Sequence, residues 1–413
     1  MRKIILLIAT CLLPGTGAFA QAPPAPLTLQ QAVDTYIKNN LDLQAARYKV
    51  ERIKADQIGA KLRPNPVLTF TAENLAVSGP TPFGRLYEIG TTYTETLELG
   101  GKRALREKVA DAVVSAAEVQ LEDTMRRGVA EVKRLYLEAL LAGYNVQIAT
   151  ENRQTFEELV KFNQTRFTEG AIPELELIKV RLERVKVDST INKARVASRQ
   201  AVIRLLDKLA VSNMTDGAVI GELNARSLNF DAAALRQSAL NDRADVRAAM
   251  ADLHAANQRV ALERARAKPD ISPFAGYKRV GNDNTVLAGI NIPLKIRDSN
   301  QAEISRAEID VKSAQLRLQL ARNHALAEVE AAVAALQASR ELVDTFEKEL
   351  LQQAEESRTI TLAAYEEGGT ELLPVLEAQR TRSDVRQEYF KTLFDYQASI
   401  VALELAVGRE IQP

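Results

Sequence analysis

The sequence predicts a mainly α chain with a transmembrane β portion, built as a duplicated helix–strand–strand–helix–helix unit. Three observations predict it. Two stretches of period-two alternation, within Lys61–Arg103 and Arg264–Asn300, interrupt an otherwise helical rhythm. Each is followed by a helical run longer than a globular domain can house. The second half also repeats the first: Ala45-Ala46 falls on Ala248-Ala249, Asp42 on Asp245 and Pro66 on Pro269, at one common offset.

Residues 1–20 have the form of a secretory signal. Arg2 and Lys3 are its charged end, Ile4 to Leu13 its apolar core, and Ala18-Phe19-Ala20 a cleavage site. The apolar run falls well short of the roughly 20 residues of a transmembrane helix. Cys11, the only cysteine, lies inside this segment. Lipidation there would leave little apolar core, and Thr10 is bulkier than the residue usual before a lipidated cysteine. The mature chain is therefore expected to have no cysteine, hence no disulfide and no thiolate metal site.

Basic and acidic residues balance at 54 each, and removing Arg2 and Lys3 leaves a slight acidic excess, which argues against a nucleic-acid partner. Tryptophan is absent, and Ala, Leu, Glu, Arg and Gln abound. These are strong helix formers. No segment after the signal approaches a membrane-spanning helix, so entry into a membrane would require a closed β-barrel.

Residues 21–26 read as an extended Pro/Ala leader. The first structural repeat is expected over 27–212. Thr28 caps a short helix to about Lys38, and a second helix runs from about Asp42 to Arg63, where Pro64-Asn65-Pro66 stops it. Strands are expected at about 66–75 and 86–98. Leu68, Phe70 and Ala72 alternate with Thr69, Thr71 and Glu73, and Tyr87, Ile89, Thr91 and Tyr93 with Glu88, Gly90, Thr92 and Thr94. One apolar and one polar face suit lipid and lumen, with lengths near the ~9–11 residues of a tilted spanning strand. The same alternation would also suit a small sheet packed on a soluble core. After Gly100-Gly101 a very long helix begins, with a seam at Val129, Val132, Tyr136, Ala139, Gly143, Val146 and Thr150. Gly170 and Pro173 mark its end, and a return helix runs from Glu174 to about Leu209.

A connector is expected over 213–229 and the second repeat over 230–413. Its strands are placed at about 270–280 and 285–296. Ile304, Ala307, Val311, Ala314, Leu318, Ala321 and Ala325 form a 3-4 seam, which implies left-handed supercoiling against neighbours. The turn recurs at Gly368-Gly369, and a last helix spans about Leu372 to Val407.

Four strands cannot close a barrel, and an open edge in lipid leaves backbone groups unpaired, so the chain must associate with copies of itself. The strands alone do not count the copies. The RPNP–hairpin–LGGKR–long helix order, its second copy, and the turns TEGAIPELELI and YEEGGTELLPVLEAQ resemble the TolC-like outer membrane efflux protein family over essentially the whole mature chain. That resemblance implies a homotrimeric 12-stranded β-barrel in the outer membrane, joined to a long periplasmic α-helical barrel. The assembly passively conducts substrates (metal ions or small toxic compounds) from an inner-membrane pump and a periplasmic adaptor to the exterior. Leu99-Gly100-Gly101-Lys102-Arg103 resembles the heavy-metal, cobalt–zinc–cadmium-type branch.

The resemblance also places a gate or adaptor contact at the periplasmic tip, at Gly170, Glu174, Glu176, Tyr365, Gly368, Glu371 and Glu377. Tyr365 falls on a gate-region tyrosine of the family and Glu377 on one of two gate aspartates. Pro374 replaces the other aspartate and Thr370 a partner arginine, so Glu174 and Glu176 would supply the remaining acidity. The same carboxylates also suit the first turn of any helix.

No catalytic constellation stands out, and the chain is not expected to be an enzyme. His254 and His324 are far apart, no cofactor motif is present, and methionine after the signal is limited to Met125, Met214 and Met250. Soft-metal sites need Cys, Met or His. The competing reading is a soluble periplasmic coiled-coil adaptor or scaffold, which would carry one helical hairpin rather than two.

Overall fold

The computed structural model describes residues 27–75, 78–211, 219–226, 228 and 230–411. The signal segment with Cys11, the leader and part of the connector lie outside the described residues.

Each half opens with two short helices. Helix α1 (Leu29–Asn39) is started by a capping box, Thr28 and Gln31 each bonding the other's backbone N–H. Helix α2 (Leu41–Lys61) follows, capped by the Asn40 side chain. Their counterparts are α6 (Ala232–Asp242) and α7 (Ala244–Arg266). The two N-cap residues do equivalent work. Asn40 Nδ2 donates to Lys208 O at 2.9 Å, and Arg243 Nη1 donates to Ala406 O at 3.1 Å. Each therefore ties its short helices to the end of its own half's return helix and satisfies a terminal carbonyl there.

The strands are β1 (Val67–Glu73), β2 (Glu88–Thr94), β3 (Ser272–Val280) and β4 (Asp283–Asn291), with a one-turn helix α3 (Phe83–Leu86) in the first hairpin. They form one antiparallel sheet in the order β1-β2-β3-β4. The register aligns Phe70, Thr91, Tyr277 and Val286 in one row and Leu68, Tyr93, Ala275 and Ala288 in the next. These rows make one apolar face. Thr71, Gly90, Lys278 and Thr285 belong to the other. The apolar face is bare: Phe70 is 74% and Val286 84% exposed. The strands pack chiefly on each other, so the sheet is not the lid of a helical core.

The strand ends differ from expectation for definable reasons. Beyond Thr94 pairing continues as Glu95 N–H to Pro273 O and a Leu97–Ile271 bridge, but Pro273 has no N–H to return a rung. Beyond Asn291 the chain bends, with Ile296 N–H donating to Leu294 O at 3.0 Å.

The long helix α4 (Lys102–Thr168) has 67 residues, which at ~1.5 Å each extends about 100 Å. It returns as α5 (Glu174–Lys208). The second half runs α8 (Gln301–Thr345), a π-helical turn at Phe346–Leu350, α9 (Leu351–Glu366) and the return helix α10 (Leu372–Val407). No described helix is long and apolar enough to cross a membrane. All seven residues of the Ile304–Ala325 seam are buried or half-buried. On α4 six of the seven expected seam residues are buried or half-buried; Gly143 is exposed, and beyond it the next buried positions are Ile148 and Ala149, beside the seam. Helix α4 packs on α5 and α10 at once, so its buried face is wider than one heptad seam.

The main core lies around the short helices and joins Tyr36, Leu43, Tyr136, Leu205, Val246, Tyr396 and Leu403. Gly128 makes this packing possible. A Cβ there would stand 1.7 Å from the Tyr36 hydroxyl. A second cluster of Phe156, Leu159, Val180, Val187, Tyr365, Leu372 and Val375 lies toward the far turns.

Candidate functional site

The two helical hairpins turn with the same hydrogen bonds. At the first, Ala171 N–H donates to Arg166 O at 2.8 Å and Gly170 N–H to Phe167 O at 3.0 Å. At the second, Gly369 N–H donates to Ala364 O at 2.7 Å and Gly368 N–H to Tyr365 O at 3.1 Å. Both are Schellman motifs, and both need a left-handed residue at the penultimate position. Gly170 (φ 73°) and Gly368 (φ 79°) provide it.

Side chains lock the turns together. Tyr365 is buried and its hydroxyl donates to Asn163 Oδ1, while Asn163 Nδ2 donates to Leu159 O at 2.9 Å. The Arg166 guanidinium lies 5.1 Å from the Tyr365 ring centre and 5.5 Å from that of Phe162, and its Nη1 donates to Tyr365 O at 3.2 Å. The two rings meet edge to face at 6.0 Å. A cation over aromatic faces is attracted by their quadrupoles. Burial pushes the Tyr365 phenol above its ordinary pKa. The Glu176 charge adds to this, and Arg166 opposes it.

Among the expected tip residues, the structure brings Glu176 and Tyr365 together across the hairpins. Glu174 opens α5 and is exposed; Glu371 is the N-cap of α10, and Glu377 lies on its first turns. Glu371 and Glu377 are exposed and make no ion pair among the described residues. The isolated chain therefore does not assemble these carboxylates into one group.

Above the turns is a polar layer that sequence reasoning missed. Gln379, buried, donates from Nε2 to Asn152 Oδ1 at 2.8 Å and accepts from Arg358 Nε at 3.1 Å. Arg358 and Arg382 both bond Glu355, and Arg386 bonds Glu151. Burial alone would raise the Glu151 and Glu355 carboxyls, but the arginines outweigh it and hold both below the usual carboxylate range. The layer joins α4 of the first half to α9 and α10 of the second. The one signal available was a polar residue at a seam position, as with Asn163 four residues after Leu159. Among the described residues no group of three or more His, Cys, Asp and Glu is arranged to hold a metal ion.

A family model described as outer membrane efflux protein matches residues 32–210 and again 235–409, reproducing the two halves. The cobalt-zinc-cadmium resistance protein CzcC of Cupriavidus metallidurans is 26% identical over 95% of this chain and 92% of its own length. The nickel and cobalt resistance protein CnrC of the same organism is 28% identical over 73% of this chain and 71% of its own. Two solved structures share the fold. CusC superposes with a TM-score of 0.76 at 21% identity, covering 92% of each chain. The Campylobacter jejuni CmeC outer membrane channel reaches 0.77 at 18% identity, covering 98% of this chain and 93% of that one. The soluble-adaptor reading is not favoured by these matches.

Proposed function

Because the chain belongs to the outer membrane efflux protein family, we propose that it works as a homotrimer, its three sheets closing one 12-stranded barrel. The chain is an outer-membrane efflux channel component with a large periplasmic helical portion, and chemistry is not its task. The observation that carries closure between copies is the sheet itself, and the count of three follows the family resemblance. The sheet's apolar face is bare, and the outer edges of β1 and β4 pair with no further strand among the described residues. An open edge in lipid is prohibitively costly, and closure between copies removes it. The uncovered apolar residues on α5 (Leu175, Ile178, Leu182 and Val185) and on α8 (Ile309, Leu316 and Leu320) supply helical contacts for the same assembly.

The test is the mass and shape of the detergent-extracted, unboiled protein, by light scattering and negative-stain imaging. An elongated trimer is expected. A monomer stable without detergent would overturn the reading.

The repeats take the bounds 27–212 and 230–413, behind a cleaved signal at 1–20. The tip docks onto a periplasmic adaptor and, through it, an inner-membrane pump. Gly170 and Gly368 shape the docking turns, Glu174 and Glu176 supply the remaining acidity of the gate, Glu371 faces the adaptor, and Tyr365 holds the closed state. Glu377 narrows the pore in each copy. For Glu377→Gln a higher conductance and weaker cation preference are expected in planar bilayers. Unchanged values would remove Glu377 from the gate.

The substrates are metal ions, as the printed names of CzcC and CnrC suggest, and selection among them belongs to the pump. A strain lacking the chain should lose tolerance to cobalt, zinc or cadmium. Full tolerance to all three would remove these three metals as substrates.

A further inference from the structure

The two edge strands carry the same tripeptide pattern at the same end. Lys61-Leu62-Arg63 precedes β1, and Lys295-Ile296-Arg297 follows β4. All six residues are exposed, Ile296 at 81%. Both tripeptides lie where strands hand over to helices, on the periplasmic side of the sheet. Exposed Ile292 and Leu294 continue the apolar surface of β4 toward them.

Their cations are free, unlike their neighbours. Nearby, Arg103 pairs with Glu107, Arg106 with Glu98, Arg264 with Glu308 and Arg266 with Glu263. Lys61, Arg63, Lys295 and Arg297 make no ion pair among the described residues. Of the acids nearby, Glu95 lines the same cleft as Arg63, and two others are bonded elsewhere. Asp270, which feels the charge of Lys295, is bonded by Lys102, and Asp298 accepts from Asn300 N–H at 2.8 Å. The opposite rim of the sheet carries Glu73, Glu88 and Asp283 instead.

Closure of the barrel, on which this inference rests, places β4 of one copy beside β1 of the next. The chain leaves β4 and enters β1 at the same end, so the two tripeptides meet at each seam. Four unpaired cations and their apolar spacers then lie at the level where headgroups meet acyl chains. We propose that each seam holds the headgroup of an anionic phospholipid of the periplasmic leaflet. The lysines and arginines take its phosphate, and Leu62, Ile292, Leu294 and Ile296 lie against its chains. The lipid thereby staples neighbouring copies.

The test is native mass spectrometry of the full-length oligomer released from detergent and titrated with phosphatidylglycerol or phosphatidylethanolamine. The wild-type trimer should take up phosphatidylglycerol preferentially. The variant Lys61→Gln/Arg63→Gln/Lys295→Gln/Arg297→Gln should bind it on the order of 1,000-fold more weakly, with phosphatidylethanolamine binding weakened far less and the preference lost. Lys179→Gln/Lys193→Gln, on the distant α5, should match wild type. If the quadruple variant does not assemble, each pair of substitutions made alone should weaken binding by about 30-fold. A trimer that binds the two lipids equally, or variants that keep the wild-type preference, would overturn the seam site alone. A monomer would overturn it together with the barrel.

Discussion

The Lys102 ammonium, almost wholly buried, stands 2.7 Å from the Asp270 carboxylate, although the two residues belong to different repeats. Lys102 also donates to Lys268 O at 2.7 Å, and the same Asp270 oxygen accepts from Leu99 N–H at 3.0 Å. Gly100 and Gly101, both left-handed, turn the chain so that the lysine reaches this point. One turn on, Arg106 bonds Glu98 and the Ala60 and Leu62 carbonyls. The first turns of α4 thus clasp the links from both short-helix pairs into the sheet.

Replacing Lys102 with Met should cost about 2 kcal/mol, since it removes charge-assisted bonds and leaves Asp270 with one N–H. Burial would raise the Asp270 carboxyl, but Lys102 and Leu99 outweigh it and hold it below its ordinary pKa. Its folded pKa is below its unfolded one, so the contribution is present above the ordinary carboxylate range. It is lost as pH falls through the folded value. Acid denaturation of Lys102→Met should accordingly begin at higher pH than in wild type. Identical acid midpoints and Tm would dissociate the pair from stability.

Three helix ends share one turn geometry with different residues. Ala210 closes α5 with φ 54°, its N–H donating to Asp207 O and that of Val211 to Leu206 O. A side chain in this conformation costs about 1–2 kcal/mol. Ala210→Gly should therefore raise stability by about 1 kcal/mol. Gly170→Ala and Gly368→Ala should each lower it by about as much, because an added Cβ meets nothing within 4 Å at either site and only backbone strain remains. Opposite signs in thermal melts are the expected result; equal signs would contradict it.

Tyr365→Phe should cost about 1–3 kcal/mol, because it leaves the fully buried Asn163 Oδ1 without its donor. Asn163→Leu in the same chain should recover much of the loss by removing the orphaned acceptor. Strict additivity in this double-mutant cycle would show that the two groups do not act as a pair.

How far the sequence reaches depends on the kind of order involved. The long helices were legible because an Ala/Leu/Glu/Arg rhythm is local, and the two turns because Gly170 and Gly368 are placed by backbone geometry alone. The ragged lower edge of the sheet was not legible, since it depends on Pro273 facing β2 across the sheet. Nor was the layer of Gln379, Asn152 and Arg358. A glutamine on a helix reads as solvated until α4 and α10 are known to touch. Gly128 lies between: glycine inside a 67-residue helix signals a close approach, but only the structure names Tyr36 as what approaches.

The π turn at Phe346–Leu350 marks a slip in an otherwise steady seam. Buried residues step by 3 and 4 through Val329, Ala332, Leu336, Ser339, Val343 and Phe346, and resume at Ala354, one residue later than the rhythm requires. A π turn takes up a single extra residue without rotating the helix beyond it. Tyr389 braces the place. Its ring lies 6.3 Å from that of Phe346 and its hydroxyl donates to Glu347 at 3.0 Å; burial, then Glu347, pushes the phenol to about 12. Deleting the exposed Lys348 should convert the turn to α-helix and restore the seven-residue step. Assembly should be kept and stability should stay within about 1 kcal/mol of wild type. Deleting Lys312, also exposed but inside the unbroken seam of α8, should rotate all that follows by ~100° and abolish assembly. If both deletions fail alike in trimer yield and Tm, the π turn is not absorbing a register slip.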